Sequence, residues 1–308
     1  MNARVILPIL GWSALISTAS AQTYDTSSYS GITFNVSFTD NALNDLSTTE
    51  QSYFTKALAF WDEVIIGYRD GSTRTWTLTV DTFSQASSGG GVLLGSAGPS
   101  SLAYSGVVAD ANTSNGKFII STAGSATFNT HDDAGELNYL TICHEIGHAL
   151  GIGTLWEDNQ VYNDGDDTTG NRTLTGGIPG QYVGSAALAA YQAEFDPSAT
   201  YVPVELDGDS GTSSGHWNEV TDNYMYENTA SYDSDPGDSS AAPIVLYGTY
   251  AGESFDDELM SGVLSGSSFL SDTTIASLYD IGYLVIPEPA SSLMIGSSLI
   301  MLASRRRR

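Results

Sequence analysis

The stretch TICHEIGHALGIGTLW, residues 141–156, sets His144 and His148 four positions apart with Glu145 directly after the first. On a helix, positions four apart lie nearly one above the other, so both imidazoles project from one face. Two neutral imidazoles make half of a tetrahedral zinc shell. Glu145 falls about 100° around from His144, beside such a metal and not on it. A carboxylate there suits a general base that takes a proton from a metal-polarised water. Gly151, three residues after His148, lets the chain leave the helix through a left-handed conformation and clears an approach for later sequence. Two unrelated surface histidines are the alternative, and the apolar helix around them argues against it.

A catalytic zinc takes three protein ligands and keeps a fourth position open. Only four histidines are present, so the candidates are few. Thr154, six positions after His148, brings no imidazole. His131, in NTHDDAG, lies just before the motif helix and reads as a solvated loop residue. His216, in SSGHWNEV, lies beyond a glycine-rich insertion; the cost of closing a loop rises slowly with its length, so a late ligand is acceptable. The expected ligands are therefore His144, His148 and His216, with Glu145 as the base. Cys143, on the side of the helix away from Glu145, reads as a core thiol.

These residues need a scaffold. GITFNVSF (31–38) and TWTLTVD (75–81) alternate apolar and polar residues as half-buried strands do. Between them, Ser47 and Glu50 stand in capping-box spacing ahead of a helical apolar stripe through Tyr53, Phe54, Ala57, Leu58, Trp61, Val64 and Ile65, with Gly67 as its stop. The Gly/Ser-rich residues 84–101 read as a loop, followed by strands near 104–109 and 117–121. Asp133 and Glu136 form a second capping-box pair, which opens the motif helix. From Gly151 to about residue 255 the periodicity dissolves into Gly, Asp, Ser and Tyr; a last helix runs from Ser271 or Asp272 to Gly282. The expectation is an α+β fold: an N-terminal mixed sheet with two helices to about residue 153, then a loop-rich C-terminal lobe, 154–286. YNDGDDTTGN (162–171) alternates carboxylates and amides of the kind that ligate calcium, although it fits no EF-hand spacing and a solvated acidic turn is the alternative.

The ends differ from the middle. Residues 1–21 have a basic start, an apolar run and an Ala-Ser-Ala finish, the pattern of a secretory signal peptide cleaved after Ala21. Residues 287–308 carry Pro-Glu-Pro, a short apolar run and four closing arginines. That run is marginal against the ~20 residues a spanning helix needs. The body between, 22–286, has a formal net charge of −30, so it repels nucleic acid and anionic membranes. One cysteine excludes an intrachain disulfide.

Two resemblances follow. The tail resembles the PEP-CTERM sorting signal of Gram-negative bacteria. That implies export to the extracellular space or outer envelope, transient membrane anchoring, and processing near Pro-Glu-Pro by an exosortase-type enzyme. HEIGHALGIGTLW, an insertion, GHWNEV, DELMSG and LSDTTIASLYDIGYLV together resemble the leishmanolysin branch of the metzincins, most closely from 136 to 285. The resemblance implies a metzincin-like fold and a zinc endopeptidase acting on protein or peptide substrates. It also implies a structural methionine, Met260 in ELMSG, beneath the zinc. The rival reading is a non-catalytic envelope adhesin or matrix protein on such a fold.

Overall fold

Ile32, Phe34, Val36 and Phe38 are buried and the residues between them are half-exposed, the two-residue period of a strand with one face on a core. The computed structural model describes residues 22–23, 31–87, 92–135, 137–165, 174–206, 212–218, 232–234, 244–246, 255, 258–262 and 269–286. Among these residues it is a mixed α+β protein with five α-helices. The expected signal peptide, sorting tail, Glu136 and most of the acidic 162–171 stretch lie outside the described residues.

A short strand β1 (Gln22–Thr23) pairs antiparallel with β2 (Ile32–Phe38). Helices α1 (Asp40–Asp45) and α2 (Thr48–Val64) follow, then β3 (Ile65–Tyr68), β4 (Arg74–Phe83), β5 (Gly95–Tyr104), β6 (Ile119–Asn129) and α3 (Tyr139–Leu150). The main sheet runs β1-β2-β4-β6-β5; β2, β4 and β6 are parallel, and β5 closes the edge antiparallel to β6. Both α2 and α3 pack on this sheet and on each other. The Trp61 indole of α2 donates to the Cys143 carbonyl of α3 (3.0 Å), and Ser121 of β6 donates to the Ala149 carbonyl (2.9 Å).

Beyond α3 come β7 (Gln181–Tyr182), α4 (Ser185–Glu194) and β8 (Val202–Pro203), then β9 (Tyr232–Ser234), β10 (Ile244–Leu246) and β11 (Phe269–Leu270). The described chain ends with α5 (Asp272–Asp280) and β12 (Tyr283–Val285). β12 returns to pair antiparallel with β3, and the Tyr283 hydroxyl donates to the Leu150 carbonyl at the end of α3 (2.8 Å). No helix among the described residues is long and apolar enough to cross a membrane.

The mixed sheet, the Ser47–Glu50 capping box and the last helix agree with the sequence expectations. Several details do not. The second helix ends at Val64, because Ile65–Tyr68 is drawn into pairing with β12, and Gly67 lies within that strand. The expected loop 84–101 contains most of β5; residues 105–109, expected to be strand, are not, whereas the strand expected near 117–121 is the start of β6. The motif helix opens at Asn138, whose side chain accepts from Thr141 N (2.9 Å); the Asp133 carboxylate instead accepts from Ser87. Helix α1 brings the N-terminal helices to three, and α4 interrupts the segment expected to be loop.

Candidate metal centre

Every residue of α3 from Tyr139 to Leu150 is buried, so the helix carries its histidines into the interior. It stops at Gly151, whose φ of 124° is open to glycine, and the His148 carbonyl accepts from Gly151 N (3.0 Å) and from the Thr154 hydroxyl (2.7 Å). Gly153 does the next task. Its φ is +75°, and a Cβ there would stand 2.0 Å from the Gly215 carbonyl oxygen. Two glycine backbones in contact thus bring the late segment against the helix end, one residue before His216. Trp156 stacks on Trp217 (centroids 4.5 Å apart) and the Tyr162 hydroxyl meets Ser214, which fixes the segment further.

The result is a triangle. The Nε2 atoms of His144, His148 and His216 lie 2.9–3.0 Å apart, and each histidine is only 6–7% exposed. Each Nδ1 faces a backbone carbonyl: Leu259 for His144 (2.6 Å), Ile152 for His148 (2.9 Å) and Thr212 for His216 (2.8 Å). A carbonyl oxygen only accepts, so each Nδ1 must carry the proton. Burial pushes His144 down to about 3 and His148 well below its ordinary value, each helped by neighbouring histidines. His216 is also lowered by burial, against the pull of the Thr212 carbonyl and Glu205. All three rings are therefore neutral near pH 7, with bare Nε2 lone pairs converging on one point.

Three acceptors cannot hydrogen-bond one another, and such a cluster suits a cation. The three residues are close enough to hold a metal ion. The centroid of the triangle is about 1.7 Å from each nitrogen, close to the ~2.0–2.1 Å of a zinc–imidazole bond, so the three nitrogens together would fit one ion of that size. The Nδ1–carbonyl bonds are the outer contacts that fix the tautomer of a ligating histidine.

Glu145 projects beside this triangle toward the start of β5: a Cβ on Gly95 would lie 3.2 Å from its Cγ and Oε1. Burial pushes its carboxyl up to about 8; a cation held by the neighbouring His144 would oppose that shift. Met260 is fully buried, and a Cβ on Gly147 would lie 2.6 Å from its sulfur. The methionine therefore packs against α3 at Gly147, the residue before His148. His131 stands apart, accepting from Asp133 N at a one-turn 3₁₀ helix. Cys143 is buried, its thiol pushed up by desolvation, and it does not join the histidine cluster.

Sequence reasoning did not anticipate Glu258. It is fully buried in the turn that holds Met260, and burial pushes its carboxyl up to about 7 against four donors. The carboxylate two residues before the methionine was its one signal. No known protein-family profile matches the chain, and no curated protein matches it.

Proposed function

We propose that this chain is an exported zinc-dependent endopeptidase of the leishmanolysin-like metzincin type. The observation that carries the reading is the convergence of three Nε2 atoms, each ring's Nδ1 turned to a backbone carbonyl, beside a helix-borne carboxylate. The borderline-soft imidazole set suits zinc. Zinc held there would act as a Lewis acid, lowering the pKa of an incoming water and drawing electron density from the scissile carbonyl. His144, His148 and His216 hold the site rigid through their carbonyl-bonded Nδ1 atoms. Glu145 takes a proton from the attacking water as the C–O bond forms, and passes it to the departing amine nitrogen as the C–N bond breaks. Met260 fills the floor beneath α3 and takes no part in the chemistry.

A peptide substrate is supported by β5. Among the described residues it pairs with β6 on one side only, and its first residue lies against Glu145. The open edge offers backbone donors and acceptors to an extended chain, except at Pro99, which has no N–H. The leader-like residues 1–21 and the Pro-Glu-Pro tail support export and processing by an exosortase-type enzyme.

The test is hydrolysis of casein by the purified protein, abolished by phenanthroline and restored by zinc. Glu145→Gln should keep its zinc and lose turnover by on the order of 10²-fold or more. Casein cleavage at the wild-type rate by that variant contradicts the assignment. A zinc-free, inactive but folded wild type points to the adhesin reading.

A further inference from the structure

We propose that Glu258 is a positioning residue of the metal centre, one buried carboxylate that ties the late ligand segment to the carbonyl orienting His144. The inference rests on the reading of the three histidines as metal ligands and adds a determinant of their geometry.

The Glu258 carboxylate has two arms. Oε2 accepts from Met260 N (2.5 Å) inside the turn 258–261, which the Ser261 N bond to the Glu258 carbonyl closes (3.1 Å). That turn holds the Leu259 carbonyl, to which His144 Nδ1 donates, and the Met260 sulfur beneath Gly147. Oε1 accepts from the Thr274 hydroxyl (2.5 Å), and Thr274 Oγ1 in turn accepts from the Trp217 indole (2.8 Å). Trp217 directly follows His216. Its backbone N–H donates to the Met260 carbonyl (3.1 Å), so the two arms meet again at the backbone. One side chain therefore sets both the acceptor for one ligand and the neighbour of another.

The simpler reading is that Glu258 only caps α5, since Oε1 also accepts from Ser271 N and Oγ. The first turn of α5 does not need it. Glu194 accepts from Asp272 N and Thr273 N, Ser271 Oγ accepts from Thr274 N, and the Ser271 carbonyl accepts from Ile275 N. With those donors satisfied elsewhere, what is distinctive about Glu258 is its hold on the turn and on Trp217. A buried carboxylate is costly to desolvate, and four donors at fixed positions make its placement specific.

The test compares the full chain with Glu258→Gln, Thr274→Val and Glu194→Gln, using zinc affinity by chelator competition at pH 8 and the visible spectrum of the cobalt(II)-loaded protein. Glu258→Gln turns amide hydrogens toward donors; it should weaken zinc binding about 10–100-fold and shift the cobalt bands. Thr274→Val keeps the side-chain volume but orphans the Trp217 indole, and should weaken zinc about tenfold. Glu194→Gln disturbs α5 without touching the turn; it should lower the melting temperature of the metal-free protein yet keep zinc affinity within about threefold and the same bands. Wild-type affinity in both Glu258→Gln and Thr274→Val overturns the proposal, as does an equal loss in Glu194→Gln. If Glu258→Gln does not fold, Thr274→Val decides. A wild type that binds no zinc overturns the ligand reading and this proposal with it, an outcome distinct from tight wild-type binding with indifferent variants.

Discussion

Glu194, at the end of α4, and Asp280, at the end of α5, each cap the other's helix. Glu194 accepts from Asp272 N (2.8 Å), Thr273 N (2.9 Å) and the Thr273 hydroxyl. Asp280 accepts from Ala186 N and Ala187 N (both 3.0 Å) and from the Tyr182 hydroxyl. Each carboxylate meets the positive end of the opposite helix, which favours its negative charge. The pair thereby locks α4 beside the helix that receives the Trp217 indole.

Glu194→Gln and Asp280→Asn should each lower the unfolding free energy by about 1–3 kcal/mol, because each leaves buried N–H groups without a full acceptor. The double variant should lose less than the sum, since both side chains hold one helix pair. Denaturant titration of the four proteins checks this; unchanged midpoints in both single variants contradict it.

Gly153→Ala should weaken zinc binding at least tenfold while leaving most helix content intact. The added methyl meets the Gly215 carbonyl in a space that does not exist, and the segment carrying His216 must retreat. Gly71→Ala is the control. Gly71 also has a positive φ, +71°, but nothing lies within 4 Å of its Cβ position. It should cost about 1 kcal/mol of stability and leave zinc affinity unchanged. Equal zinc affinity in the two variants contradicts the account.

The pH dependence of the metal-free protein reports on Glu258. Burial pushes this carboxyl up to about 7, from an ordinary value of 4.5. Between those two values the folded state keeps a proton that the unfolded chain has released, so this group's contribution to stability falls as pH rises. Glu258→Gln has no such titration. The stability advantage of the wild type over this variant should be largest near pH 5 and shrink toward pH 7.5. An advantage that does not change with pH contradicts the assignment.

What was legible in the sequence is what is encoded locally. The Ser47–Glu50 box, the alternation of Ile32 to Phe38 and the four-residue spacing of His144 and His148 each need only neighbouring residues to be read. The misreadings fall where the cause lies far away. Helix α4 is SAALAAYQAE, whose small residues give no strong apolar stripe, and Gly184 supplies no side-chain cap. Its start is capped by Asp280, some 93 residues later. Strand β5 is rich in Gly and Ser and largely exposed, so its alternation is weak; it is a strand because β6 pairs with it.

Asp133 had the spacing of a helix cap, but its carboxylate serves Ser87, 46 residues earlier, and Asn138 takes the role. His216 could be chosen by elimination among four histidines. The contact that delivers it, Gly153 against Gly215, is not visible in either glycine alone.

The most direct test is the amount of zinc bound per chain, measured by mass spectrometry on the purified full-length protein and on His216→Ala and His131→Ala. The account predicts one tightly held zinc in the wild type and in His131→Ala, and its loss from His216→Ala. A wild type without zinc after exposure to micromolar metal, or a His216→Ala variant that holds zinc as tightly as the wild type, contradicts it.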